Sequence, residues 1–162
     1  MRPGLIGERA SARETFENFS ALARLVKLSD EDAAWLYPDL NLNSVRERLM
    51  ELGVQLVAVT LGANGSTLTT PRHSLAIPAP SGIRGDTIGA GDSYTAALLA
   101  GILRIGTNGV NLLATLDEND LLFLGQEAAA AAAITVNRQG ADLPYRAEIS
   151  SSARIRGIPL EN

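Results

Sequence analysis

Apolar positions along this chain follow two periods, and each predicts a different kind of element. Phe16, Phe19 and Ala23 recur at helical spacing behind Ser11–Glu14, which fits a capping box, so a helix is predicted over about 11–23. The run LVKL then reads as a short strand ending in a polar turn. Ser29–Asp32 starts a second, short helix whose inward face carries Ala33 and Leu36, and Pro38 ends it. Asn43 or Ser44 caps a third helix through Leu52, with Val45, Leu49 and Leu52 inward and Gly53 as its stop.

Next comes QLVAVTLG, a continuous apolar run short enough to be a buried strand. The turn GANG leads into the alternating strand STLTT, PRH turns toward SLAI, and Asn64-Gly65 is a hairpin signal. Tyr94, Ala97, Leu98, Gly101, Ile102 and Ile105 share one face of a fourth helix. A long helix is predicted over about 118–136, capped by Thr115 and Glu118 and closed by Gly140. It is so rich in alanine that a neighbour or ligand must lie very close to it. Helices alternating with buried strands give an α/β domain with an inserted hairpin. The stretch 149–162 reads as a polar tail, and neither an internal repeat nor a second domain is evident.

Composition narrows the function. The 162 residues, 46% hydrophobic and 20% charged, suit one globular domain with a core of its own. A net charge of −4 with no basic block argues against nucleic-acid and membrane-surface partners. The absence of cysteine excludes disulfides, iron–sulfur clusters and thiol nucleophiles. The single histidine, His73, sits in the turn PRHS and leaves a Ser-His-Asp triad little to work with. The early charges Arg2, Glu8, Arg9, Arg13, Glu14 and Glu17 do not fit a signal peptide, and no apolar run approaches a membrane span, so the expected location is cytoplasmic.

The chemistry concentrates in GDTIGAGD, residues 85–92, directly ahead of the fourth helix. Peptide N–H groups at a helix start lack intrahelical partners, and the helix dipole adds partial positive charge there. Gly89 and Gly91 let a phosphate approach the main chain without a Cβ in the way. A tight turn in which Asp92 merely caps the helix is the competing reading. Tyr94 occupies the place where a dinucleotide fingerprint needs its third glycine, and the Lys-Ser/Thr pair of a P-loop is missing. Asp92 decides the matter: a carboxylate repels phosphate, so its use there is to take a proton from an attacking hydroxyl while the amides stabilise the transferred phosphoryl group.

Asp86-Thr87-Ile88-Gly89-Ala90-Gly91-Asp92 resembles the DTxGAGD signature of the ribokinase/PfkB-type carbohydrate kinases. VAVTLGANGS resembles that family's strand and nucleotide loop, with Thr60, Gly62 and Gly65 at its defining places. KLSDEDAAWL resembles the segment of its magnesium-linked N-x-x-E motif, TVNRQGADLP the loop after its adenine-side helix, and RPGL the stretch after an early strand. The resemblance covers residues 2–148 with the motifs in register, and it leans toward fructokinase-like members.

The resemblance implies a ribokinase-like three-layer αβα fold, mainly parallel with a β-hairpin. It makes Asp92 the catalytic base, and Gly89, Ala90 and Gly91 the anion hole. It places Thr60, Gly62, Gly65, Thr87 and Ala129 on the ATP side, with Ala129 standing where relatives carry Asn or His near adenine. Asp86, Ile88, Thr135, Arg138 and Gly140 would line a monovalent-cation loop, for potassium. The N-x-x-E motif reads Ser29 to Asp32 here, so Asp32 keeps a carboxylate for water-mediated Mg2+, or else serves only as a helix cap. The family's N-terminal half, with the sugar-contacting residues and a lid, has no counterpart in the chain. An incomplete fold is therefore expected, with an open sheet edge prone to homodimerisation or other association. The leading reading is the catalytic part of an ATP-dependent sugar kinase. A nucleoside or vitamin kinase of the same fold, and a nucleotide-binding module without turnover, are the alternatives.

Overall fold

The computed structural model of the chain describes residues 7–82, 84–106 and 112–149, so the RPGL stretch and nearly all of the polar tail lie outside the described residues. In chain order the elements are α1 (Arg9–Ser20), β1 (Leu25–Ser29), α2 (Asp30–Leu36), α3 (Leu42–Glu51), β2 (Leu56–Thr60), a 3-10 turn (Gly62–Asn64), β3 (Ser66–Thr69), β4 (Ser74–Ile77), α4 (Ala90–Ile105), α5 (Leu112–Thr115) and α6 (Glu118–Val136).

The four strands form one mixed sheet in the order β1-β2-β3-β4. β1 and β2 are parallel, with Lys27 opposite Ala58 and Ser29 opposite Thr60. β2, β3 and β4 are antiparallel neighbours, so the inserted hairpin extends the sheet on one side. Side chains of a strand alternate between faces, and the two faces build two cores. Val26, Leu28, Val57 and Val59 pack with Ala33, Leu36, Val45 and Leu49 beneath α2 and α3. Leu56, Ala58, Leu68 and Ile77 pack with Tyr94, Leu98, Leu121, Leu124 and Ala128 of α4 and α6. The result is three layers, helices on both sides of the sheet.

The alanine-rich α6 owes its composition to close packing on both sides. A Cβ on Gly101 of α4 would lie 2.6 Å from a Leu124 methyl, and one on Gly125 would lie 2.4 Å from Ile77 Cγ1. Small residues thus bring α6 onto α4 and onto β4 together.

Three helix starts differ from expectation. α1 begins at Arg9 after Glu8, which makes no side-chain cap, so Ser11 and Glu14 form no capping box. Asn41, not Asn43 or Ser44, caps α3 by accepting from Ser44 N–H. Asp117 and Asp120 form the reciprocal box of α6, whereas Thr115 belongs to α5. For α3 and α6 a residue of the right type stood within a few positions of the one that caps. Phe19, which shares the helical spacing of Phe16 and Ala23, is exposed.

Candidate phosphoryl-transfer site

The glycine loop is held against the end of α6 by contacts that leave no room for side chains. A Cβ on Gly85 would fall 2.0 Å from the Val136 carbonyl oxygen. Arg84 N–H donates to Asn137 Oδ1 at 2.9 Å, and Ile88 N–H donates to Asp86 Oδ1 at 3.0 Å, so Asp86 braces its own turn. Gly89 has φ +79°, a conformation that favours glycine, and a Cβ there would sit 3.1 Å from Ala141 Cα. Segment 85–89 thereby lies beside the stretch from Thr135 to Ala141.

Gly89 is the N-cap of α4. Ala90 N–H donates to Thr87 O and Ser93 N–H to Gly89 O, at 3.1 and 2.9 Å. Among the described residues, the N–H groups of Gly91 and Asp92 have no such partner. Two main-chain donors therefore remain at the positive end of a helix of 16 residues. The Asp92 side chain stands exposed beside them. One residue on, Ser93 is buried against Thr135, which fixes the direction in which α4 leaves the loop.

The remaining residues singled out from the sequence divide into two groups. Asp86, Thr87, Ile88, Arg138 and Gly140 fall in the two adjoining loops, and Thr135 in the last turn of α6. Thr135 is fully buried, with its hydroxyl bonded to Ala131 O and to Ser93. Arg138 turns its guanidinium to Glu148 and Asp142, which leaves its main-chain oxygen as the donor suited to a cation. Thr60 ends β2, and its hydroxyl donates to Leu28 O at 3.4 Å. Because β1 and β2 are parallel, Thr60 and Gly62 emerge at the same end of the sheet as Ser29, the end at which open α/β sheets bind ligands.

Three residues have firm structural duties. Gly65 crosses the end of β4, where a Cβ would lie 2.0 Å from Ile77 O. Ala129 is buried in the α4/α6 core. Asp32 completes the cap of α2: its N–H donates to Ser29 Oγ at 3.0 Å, and Ser29 N–H donates to its carboxylate at 3.4 Å. Burial raises the Asp32 carboxyl, but hydrogen bonds, those with Ser29 among them, outweigh burial and hold it below the usual aspartate value. An ionised carboxylate at this position fits a water-bridged divalent cation as well as a cap. Among the described residues, no cluster of three His, Cys, Asp or Glu side chains forms a closed metal site.

Sequence reasoning missed Lys27. A Cβ on Gly91 would lie 3.1 Å from its Nζ, so the ammonium reaches the glycine loop from β1. A lone lysine in a five-residue strand reads as a solvent-facing position, and only the pairing with β2 shows that it faces α4.

A cavity of about 650 Å³ lies between α3 and the β3–β4 turn, lined by Arg46, Met50, Thr69 and Pro71 among others. A second, about 270 Å³, runs between α4 and α6 past Ser93, Arg104 and Glu127. Neither is lined by Asp92. No helix among the described residues is long and apolar enough to cross a membrane.

Residues 4–148 match the sequence model of the pfkB family carbohydrate kinases. A fructokinase of Rhizobium leguminosarum bv. trifolii is 30% identical over 121 residues, which are 75% of this chain and 37% of that protein. An aminoimidazole riboside kinase of Salmonella typhimurium is 27% identical over 151 residues, 93% of this chain and 46% of that one. Among solved structures, a fructokinase with bound ATP from Xylella fastidiosa superposes with a TM-score of 0.85 at 25% identity, covering 97% of this chain and 50% of that one. The chain thus spans half or less of the length of these relatives.

Proposed function

The chain belongs to the pfkB family of carbohydrate kinases, and we propose that it carries the ATP-side, phosphoryl-transferring part of a sugar kinase. The observation that supports this most is the exposed Asp92 carboxylate beside the two unpartnered N–H groups at the start of α4. In this reading, an acceptor hydroxyl gives its proton to Asp92 as its oxygen bonds to the γ-phosphorus of ATP. The bond from that phosphorus to the β,γ-bridging oxygen breaks, and ADP leaves. The N–H groups of Gly91 and Asp92, in the loop of Gly89 and Ala90, hold the negative charge on the phosphoryl oxygens during transfer.

Thr60, Gly62, Gly65 and Thr87 are proposed on the nucleotide side, at the sheet end where β2 stops. Ala129 would contribute there only through the packing of α6. Asp32 would hold a Mg2+ hydration shell, and the bound ion would neutralise phosphate charge. The two segments carrying Asp86 and Ile88, and Thr135, Arg138 and Gly140, would hold a monovalent cation that stiffens the turn. Beyond the described residues, a further segment of protein would present the acceptor. Among the described residues β1 has no strand on its outer edge, and Leu99 and Leu103 of α4 are exposed, which supports its docking on this chain.

Fructose is the first acceptor to test, on the strength of the two fructokinase relatives. The aminoimidazole riboside kinase relative supports a nucleoside-like acceptor as the second. ADP formation from ATP and Mg2+, followed across fructose, ribose, 2-keto-3-deoxygluconate and ribonucleosides, tests the reading. Acceptor-dependent ADP release supports it. Binding of ATP with no ADP formed on any acceptor would favour a nucleotide-binding module instead.

A further inference from the structure

The cavity of about 650 Å³ between α3 and the β3–β4 hairpin shares no residue with the glycine loop or with the residues placed on the nucleotide side. Its volume falls within the roughly 300–1,000 Å³ of small-molecule sites. Strand register explains why it stays open. Thr67 and Thr69 of β3 stand opposite Ala76 and Ser74 of β4, so the hairpin face beside α3 carries only small side chains. Leu68 and Ile77 point the other way, into the core under α6. The opposite wall is α3, where residues three and four apart share a face, so that Asn43, Arg46, Glu47, Met50 and Glu51 line the trough together. Arg46 is held in place: it donates to Thr67 Oγ1 at 2.9 Å and to Asn43 Oδ1. Those bonds use two of the five guanidinium N–H groups and fix the direction of the rest. Glu47 is exposed and makes no ion pair among the described residues. The Thr69 and Ser74 hydroxyls lie 3.0 Å apart, and each keeps capacity for a further partner.

We propose that this trough is a second binding site, for a neutral sugar of monosaccharide size. Each hydroxyl of such a ligand both gives and takes a hydrogen bond, so it needs donors and acceptors interleaved at close range. The Arg46 guanidinium supplies donors, Glu47 a charged acceptor, and Thr69 and Ser74 both kinds. Met50 and Pro71 offer apolar surface to the C–H face of the sugar ring. Two carboxylates on the same wall, Glu47 and Glu51, repel a phosphorylated or otherwise anionic ligand. Because Arg46 is already pinned, little of its freedom is lost when the ligand arrives. The sugar is bound here and leaves chemically unchanged. The site is separate from Asp92 and stands or falls independently of the phosphoryl-transfer reading. An open trough touches only one side of its ligand, so a dissociation constant on the order of 1 mM is expected.

The test is a residue-resolved NMR titration of the full chain with glucose and with glucose 6-phosphate, in wild type, Glu47→Gln and Thr69→Val. Glucose is expected to move the amide signals of Arg46, Glu47, Thr69 and Ser74 along saturable curves. Glu47→Gln is expected to weaken glucose binding about 10-fold, as for loss of a charge-assisted hydrogen bond, and Thr69→Val by a smaller factor. Both variants should leave the signals of the core residues Leu68 and Ile77 in place, which separates lost binding from a lost fold. Glucose 6-phosphate is expected to bind more weakly than glucose. Shifts that do not saturate, or that are confined to Gly89–Asp92, overturn the inference and leave the phosphoryl-transfer reading standing. Equal affinity of wild type and Glu47→Gln for glucose, or tighter binding of glucose 6-phosphate, overturns it as well.

Discussion

Ser93 Oγ and Thr135 Oγ1 lie 2.5 Å apart, both buried, and join the residue after Asp92 to the last turn of α6. Thr135 also donates to Ala131 O at 3.2 Å, so the consistent arrangement has Ser93 donating to Thr135. The direction of that bond makes the two hydroxyls unequal. Thr135→Val strands the buried Ser93 hydroxyl and is expected to cost about 1–3 kcal/mol. Ser93→Ala leaves Thr135 its bond to Ala131 and should cost nearer ~1 kcal/mol. Urea unfolding of both single variants and the double checks this, and the double should cost less than the sum.

Gly85 is where the glycine loop meets a main-chain atom that has no means of moving aside. A Cβ placed 2.0 Å from Val136 O forces segment 84–89 away from α6. Gly85→Ala is therefore expected to lower kcat by about 10²-fold through misplacement of the anion hole. Comparison of kcat with the melting temperature checks it: a loss of folding in proportion to the loss of rate would contradict a positioning role.

At Gly125 the obstacle is a side chain, the buried Ile77. Alanine improves helix propensity by up to ~1 kcal/mol, but overpacking of this core is expected to outweigh it by about 1–3 kcal/mol. A double-mutant cycle should show Ile77→Ala costing less in the Gly125→Ala background than alone. Additive costs would mean that the helix and β4 separate instead of competing for one volume.

Stability should fall at both ends of the pH range, for different reasons. Burial pushes the Tyr94 phenol up to about 12, with the hydrogen bond to Ser66 opposing it weakly. A raised acid favours the folded state fully below its unfolded value near 10, and the benefit is lost as pH rises from there through 12. The change amounts to about 2–3 kcal/mol. On the acid side, the hydrogen bond from Arg48 holds Glu17 below its usual 4.5, against an opposing effect of burial. Its contribution is present above that value and is lost as pH falls through the lowered one. Chemical denaturation of wild type and Tyr94→Phe between pH 9 and 12 checks the alkaline arm, which should flatten in the variant.

Much of this was legible in the sequence because local rules and tertiary needs coincided. Ser29 and Asp32 cap α2 as expected, Pro38 follows its end, and α6 spans the expected 118–136. The glycine loop was readable because several glycines directly ahead of a helix stand out whatever the surroundings. Helix starts were misplaced where several capping residues stood close together, since type alone does not choose among Asn41, Asn43 and Ser44. Asn64-Gly65 signalled a hairpin correctly, but the turn is a 3-10 turn with Gly65 pressed on β4, a contact made across 12 residues of chain. Lys27 was illegible for the same reason. Its meaning depends on strand register and on the place of a loop 64 residues further on.

The central claim is that Asp92 takes the proton of the acceptor hydroxyl, and Asp92→Asn tests it most directly. The account predicts kcat for ADP formation reduced by about 10²- to 10⁴-fold. ATP should bind as well as before or more tightly, since a negative charge beside the phosphates has been removed. Turnover near the wild-type rate would contradict it.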